Sequence, residues 1–178
     1  MNKKITQKEQ PKLREDWNEF FTEFANESDR AAAVLSAAYI DELLKNLIAN
    51  FLVDDEKVVE KLLDPKKSPH APLGTFSARI TAAFCLGLID RVQYDDLNII
   101  RQIRNLFAHS LHGVTFKSAE VVKEVKKLKA HRLARIVKDT RGEFILTVAI
   151  LSTDIEIQAQ EISSHQRSIP SYYDINNE

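Results

Sequence analysis

The sequence predicts an all-α, single-domain bundle of about six to seven helices. The chain has 178 residues but only 4 Gly and 5 Pro, and sandwiches or barrels need turn residues far more often than that. Apolar residues recur three and four positions apart along most of the chain, and good N-cap residues precede several of these stretches. A chain of this length can bury a core that needs no disulfide or metal.

Glycine and cysteine usage excludes several kinds of site. The four glycines stand far apart, whereas a Walker A loop or a dinucleotide fingerprint needs them close together. The single cysteine, Cys85, excludes an internal disulfide and a cysteine zinc cluster. Because Cys85 lies in an apolar run, we expect an inert buried thiol. We therefore expect no cofactor and no bound metal.

The ends of the chain and its charge indicate the compartment. The N-terminus has no apolar core of a signal peptide, and no uncharged apolar stretch approaches the roughly 20 residues of a membrane span. We therefore expect a cytoplasmic protein without membrane contact. The net charge of −1 argues against bulk electrostatic binding of nucleic acid.

The first half of the chain contains three predicted helices. We expect a flexible arm at 1–11, a helical domain at 12–163 and a polar tail at 164–178. Pro11 begins a helix that carries Trp17, Phe20 and Phe24. Ser28 caps a long, alanine-rich helix over 29–52, and Asp54 caps a short one ending near 63. The aromatic helix that begins at Pro11 and the alanine-rich helix over 29–52 are candidate surfaces for self-association, although a role in the core fits both better.

The second half is divided by caps and glycines. Thr75 begins a helix that ends near Gly87, Asp90 begins another that runs to about 109, and Ser118 begins the next. After Gly142, apolar residues follow helical spacing, but their β-branched side chains leave a strand open for 144–151.

Polar residues concentrate on the helix over 91–109. Arg101, Asn105 and His109 are spaced i, i+4 and i+8, opposite the apolar face. The structural interpretation pairs Arg101 and Arg104 with Asp41 and Glu42 of the long helix and leaves His109 at the helix C-terminus. The alternative is a surface that receives an anion or a partner helix. The residues predicted to form this cluster or to bind a partner are Asp29, Arg30, Asp41, Glu42, Arg79, Arg101, Arg104, Asn105 and His109.

A short pattern within this helix favours a different function. Arg104 and Asn105, followed after three residues by His109, resemble the Arg-polar-x-x-x-His motif of HEPN-superfamily ribonucleases. The resemblance implies metal-independent RNA cleavage, in which the His acts as general acid or base and the Arg stabilises the phosphate. Arg104 and His109 are about 140° apart on a regular helix, so one copy makes a poor active site.

A longer resemblance covers most of the chain. Four blocks occur in order, ESDRAAA at 27–33, AYIDELL at 38–44, PLGTFSARI at 72–80 and IRQIRNLFAH at 100–109. Together they are similar to the bacterial mannitol operon repressor family. The resemblance implies a helical regulator of genes for mannitol (hexitol) uptake and use, and not an enzyme. A toxin–antitoxin or scaffold module without a sugar-related role remains a further alternative.

The chain lacks an obvious DNA-reading element. The one candidate helix–turn–helix has Asp90, Asp95 and Asp96 at the end that would enter the major groove. Residues 117–141 carry a local charge of +6, which gives at most sequence-blind phosphate binding. We therefore expect repression through a protein partner, disfavour direct operator reading and allow a homodimer. The basic patch, alternatively a solvated helix face, comprises Lys123, Lys126, Lys127, Lys129, Arg132, Arg135 and Lys138.

Overall fold

Six α-helices and one short 3₁₀ helix make up the described part of the chain. The structure is a computed structural model that describes residues 24, 26–110, 113–133, 137, 139–164 and 167–170. The predicted helix that begins at Pro11 and the 1–11 arm lie outside these residues, apart from Phe24, which is buried. The helices are α1 (Asp29–Phe51), α2 (Glu56–Leu63), α3 (Phe76–Cys85), α4 (Arg91–His109), α5 (Ala119–Val125), the 3₁₀ helix η1 (Ala130–Leu133) and α6 (Thr140–Ser163).

Local capping explains where most helices begin. Ser28 accepts a hydrogen bond from the Ala31 amide at 3.2 Å, and Thr75 accepts one from the Ala78 amide at 3.2 Å. Asp90 and Gln93 form a reciprocal capping box with two bonds of 2.8 Å. The prediction for α2 was wrong by one residue, because the cap is Asp55, whose carboxylate accepts from the Val58 amide at 3.1 Å.

The core lies between α1, α4 and α6. α1 packs most extensively against α6 and also contacts α3 and α4. Three phenyl rings pack together: Phe107 of α4, Phe116 in the segment before α5, and Phe144 of α6. The ring centroids of Phe107 and Phe116 are 5.0 Å apart, and those of Phe116 and Phe144 are 5.1 Å apart. Alanines of α1, including Ala32, Ala33 and Ala37, are buried in this core, so close helix packing accounts for them.

Residues 144–151 are helical, so the strand alternative is wrong. They lie within α6, which begins after the Asp139 cap. Among the described residues the β structure is one isolated bridge, between Val53 and Arg167. The described helices include none with the length and apolarity that a membrane crossing needs.

The expectation of a buried thiol was also wrong. Cys85 is exposed at the last position of α3. The buried face of α3 is formed by Phe76, Arg79, Ile80 and Ala83, and Cys85 falls outside this stripe. Gly87 follows with a φ of 71°, as the predicted turn after the helix requires.

Candidate functional site

α4 carries the predicted motif and lies in the middle of the bundle. It contacts α1, α3, α5, α6 and η1. Its buried face contains Leu97, Ile100, Ile103 and Phe107, and near its N-terminus Gln93 and Asp96 are buried as well. One face of the N-terminal half of α4 is therefore used by the core, while Arg91 and Val92 at its start are exposed.

The ion-pair partner of Asp41 is Arg79 of α3. It is not one of the two arginines of α4 that were predicted to pair with it. Its Nη1 lies 2.7 Å from the Asp41 carboxylate, and the residue is 5% exposed. Its Nε donates to the Leu73 carbonyl at 3.0 Å and its Nη2 to the Leu63 carbonyl at 2.8 Å. One guanidinium therefore joins α3 to α1, to the last residue of α2 and to the loop that follows α2.

Burial raises the pKa of Asp41 despite this neighbour. Desolvation is the largest cause, and it outweighs the opposing effects of the Arg79 charge and hydrogen bond. Arg104 also lowers the pKa of Asp41 through its charge, but more weakly than Arg79 does. Asp41 is thus a partly desolvated carboxylate whose ion-pair partner is Arg79 and which the charge of Arg104 affects only weakly.

The predicted pairing of Arg101 and Arg104 with Asp41 and Glu42 was wrong. Glu42 pairs with Lys45 on its own helix at 3.2 Å, and Asp41 is taken by Arg79. Arg101 Nε is buried without a hydrogen-bond partner in the described structure. Neither Arg101 nor Arg104 forms an ion pair with a described carboxylate. Arg79 pairs with Asp41 because the packing of α3 against α1 places its buried guanidinium beside the carboxylate. Spacing along one helix does not predict a contact between two helices.

Asp29 and Arg30 anchor the first turn of α1 away from the Asp41 pair. The Asp29 carboxylate lies 2.6 Å from Arg141 Nη1 and accepts the Phe116 amide at 2.9 Å. Arg141 also donates to the carbonyls of Phe24 at 3.0 Å and Glu27 at 2.5 Å. Arg30 donates to the Ser110 carbonyl at 2.5 Å, just beyond the end of α4. The single polar cluster that the sequence predicts is therefore divided between the first turn of α1 and its middle.

A third group lines an open cleft between α4 and α5. His109 and Asn105 belong to it, whereas Arg104 does not. Since the charge of Arg104 acts on Asp41 of α1 while His109 faces α5, the two ribonuclease-motif residues are not assembled into one site within a chain. The lining residues are Gln102, Asn105, Leu106, His109, Ser110, Glu120, Lys123 and Glu124.

The basic segment does not form one positive helical face. α5 ends at Val125, and the chain continues into η1, so the basic residues are divided among α5, η1 and the residues between them. The cause is Asp96, whose fully buried carboxylate accepts the amides of Lys129 at 3.0 and 3.1 Å and of Ala130 at 2.8 Å.

Several cations of this segment have partners within the chain. Lys127 pairs with Glu124 at 2.6 Å and Lys129 with Asp95 at 2.9 Å. Arg132 donates to the Lys126 carbonyl at 2.8 Å, while Lys123 lines the cleft. Arg135 and Lys138 lie outside the described residues. The buried side chains of Val121, Val125 and Leu128 show that the segment also covers the core.

Comparison with known proteins identifies the family. The model of the mannitol repressor family, MtlR, matches residues 20–162. The chain belongs to the mannitol repressor family. The resemblance of the four sequence blocks is thereby confirmed, and the mannitol repressor family is a family of regulators.

Two curated relatives and one solved structure extend this result. The mannitol operon repressors of Escherichia coli K12 and O6:H1 are each 21% identical over 147 residues, 83% of this chain and 70% of theirs. A chain in the X-ray structure of the MtlR–HPr complex from Escherichia coli matches with a TM-score of 0.64 and 20% identity, over 78% of this chain and 97% of that chain. This likeness shows that the mannitol repressor fold is shared.

Three polar residues of this mannitol repressor fold escaped sequence reasoning. Arg141 looked like one cation of the basic segment, and Asp96 looked like a solvent-facing charge at a helix start. Tyr39 donates to Glu156 of α6 at 2.6 Å, and burial, followed by this contact, raises the pKa of the phenol. Only for Asp96 did the sequence contain a sign of burial. Asp96 is four residues before Ile100 and three residues after Gln93, and this spacing places it on the buried face of α4.

Proposed function

We propose that this chain represses an operon for mannitol (hexitol) uptake and use, and that it does so through contact with another protein. Membership of the mannitol repressor family carries the proposal. A repressor of this kind acts in the cytoplasm, where the operon is. The acidic start of α4, with Asp90 exposed and Asp95 half-buried, supports a mechanism without operator reading, because carboxylates repel the phosphates of DNA.

HPr is the partner that we propose. The fold is shared with a chain of the MtlR–HPr complex, and a protein partner is what the sequence predicts. The surface proposed for the contact contains Arg101 and Arg104. Neither is paired with a described carboxylate, and Arg79 already balances Asp41, so the two guanidinium groups are available to carboxylates of a partner.

Titration calorimetry of the purified full chain with HPr from the same organism tests this proposal. We expect saturable binding that Arg101→Glu with Arg104→Glu weakens at least tenfold, because reversed charges at a contact repel the partner. Lys57→Glu is the matched control, since Lys57 is an exposed cation on α2 and should leave binding unchanged. Absence of binding by the wild-type chain would contradict the proposed partner.

A mobility-shift assay separates the protein-contact mechanism from direct operator reading. The purified chain should not retard operator DNA more than unrelated DNA of equal length at physiological salt. Sequence-specific retardation would overturn the protein-contact mechanism while leaving family membership intact.

The proposal contains no catalytic step. Incubation with RNA should give no cleavage that depends on His109, because Arg104 and His109 serve different sides of α4. The wild-type chain and His109→Ala should therefore yield the same RNA pattern on a gel. Cleavage lost only in the His109→Ala variant would favour the ribonuclease alternative.

A further inference from the structure

The open cleft between α4 and α5 is a candidate small-ligand site. Its volume is about 580 Å³, within the range of roughly 300–1,000 Å³ that is usual for ligand pockets. Leu106 supplies an apolar surface, and polar side chains from the two helices surround it. The cleft belongs neither to the Asp41–Arg79 ion pair nor to the Asp29–Arg141 contact.

The polar side chains of the cleft are largely unused by the fold. Five of them form no hydrogen bond or ion pair with any described residue, and they are Gln102, Asn105, His109, Glu120 and Lys123. Two others are engaged, because Glu124 accepts from Lys127 at 2.6 and 2.7 Å and the Ser110 hydroxyl donates to the Leu106 carbonyl at 2.7 Å. Of the five unengaged side chains, all but the half-buried Asn105 are exposed, so their donors and acceptors are free to bind a ligand in place of water.

The cleft carries charges of both signs. Glu120 and Lys123 both line it, and Glu124 is balanced by Lys127. A phosphate or carboxylate ligand would meet two carboxylates, and a cation would meet Lys123. Amide and imidazole groups instead offer both donors and acceptors, and the carboxylates add acceptors. A hydroxyl group uses both at once, so several adjacent hydroxyls suit this lining.

We propose that the cleft binds a neutral open-chain polyol of hexitol size. Its hydroxyls are held by Asn105, Gln102 and Glu120, and its carbon chain lies against Leu106. The chemistry of the lining side chains favours a neutral polyol, whereas the choice of a hexitol rests on the proposed function. No covalent step is involved.

Titration calorimetry of the full chain alone with mannitol tests the proposal, with glucitol, mannitol 1-phosphate and inorganic phosphate as comparison ligands. We expect saturable binding of mannitol with a Kd below ~1 mM, and weaker or no binding of either phosphate-bearing ligand. Ligand concentrations stay in the low millimolar range, because polyols at high concentration stabilise proteins without binding.

Variants place the ligand in the cleft. Asn105→Ala and Glu120→Ala should each weaken mannitol binding about tenfold, and Gln160→Ala, an exposed amide on α6, should not. Amide shifts of the wild-type chain in NMR spectra give a measurement independent of variant folding, and they should centre on Gln102 and Lys123.

Three results would overturn the inference. They are no saturable binding of mannitol or glucitol, tighter binding of inorganic phosphate than of mannitol, and mannitol shifts centred away from α4 and α5. Because HPr is absent from these experiments, a failure here is distinguishable from a failure of the proposed partner. HPr binding without polyol binding would overturn the inference alone.

Discussion

Arg79 is a single side chain whose loss leaves three acceptors without their donor. Asp41 and the carbonyls of Leu63 and Leu73 depend on it. We expect Arg79→Ala to lower the free energy of unfolding by ~3–5 kcal/mol, because a partly desolvated carboxylate loses its counter-ion. Urea denaturation measures this. Lys67→Ala, which removes an exposed ion pair with Glu60, should cost less than about 1 kcal/mol; equal losses in the two variants would contradict the prediction.

Asp154 makes a contribution to the free energy of unfolding that decreases as pH rises, the opposite of what most carboxylates in folded proteins do. Burial, and then the nearby charge of Asp90, raise the pKa of the Asp154 carboxyl above its ordinary value of 3.8. Between the ordinary and the raised pKa the folded state binds more protons than the unfolded state, so this contribution to stability falls as pH rises. Asp154→Asn removes it, and the variant should gain stability relative to wild type between pH 3 and pH 7.

Asp64 supplies the control of opposite sign. A hydrogen bond from the Lys66 amide is the largest cause that lowers the pKa of Asp64, so its contribution is present above the ordinary pKa and lost as pH falls. Asp64→Asn should therefore lose stability relative to wild type over the same rise in pH. Unfolding curves at a series of pH values measure both variants, and parallel trends would count against the assignment.

Among the helices and turns, η1 depends on one carboxylate of a neighbouring helix. Asp96→Ala removes the acceptor for the Lys129 and Ala130 amides, and charged hydrogen bonds of this kind contribute ~1.5–3 kcal/mol. We expect a loss of that size with faster hydrogen exchange at both amides. Asp95→Ala is the control, because Asp95 forms only half-exposed pairs with Arg91 and Lys129. Unchanged exchange at Lys129 and Ala130 in Asp96→Ala would contradict this account.

Helix starts were predictable from the sequence because they depend on local chemistry. Ser28, Thr75 and Asp90 each cap an amide three residues ahead, and that relation is visible in the sequence. The end of α5 was not predictable, since the residue that diverts the chain into η1 is 33 positions away. Tertiary contact overrode the helical spacing of the basic segment.

The candidate site was predictable in composition but not in grouping. The blocks contained Asp41, Arg79 and His109, yet spacing along each helix cannot state which helices face each other. Packing of α3 against α1 selected Arg79 as the partner of Asp41, and packing of α5 against α4 gave His109 a different neighbourhood. The cleft therefore combines three residues that the sequence indicated, Asn105, His109 and Lys123, with Gln102, Glu120 and Glu124, which it did not.

For the whole molecule, the Asp29–Arg141 contact ties the start of α1 to the start of α6. The two residues are 112 positions apart, and both also bind backbone groups of other segments. We expect Asp29→Ala to cost ~1.5–3 kcal/mol in unfolding free energy, measured by thermal and urea unfolding. Glu42→Ala, which removes an exposed pair within α1, should change stability by less than about 0.5 kcal/mol. A cost below that of Glu42→Ala would contradict the role assigned to Asp29.

The adjacency of α1 and α6 has a consequence for synthesis of the chain. α1 emerges early from the ribosome, but its most extensive neighbour is the last helix of the described chain. Long-range contacts of this kind must wait for loop closure. A nascent chain halted before residue 140 therefore exposes the apolar side of α1, including Ile40 and Leu44, and is a substrate for chaperones until α6 arrives.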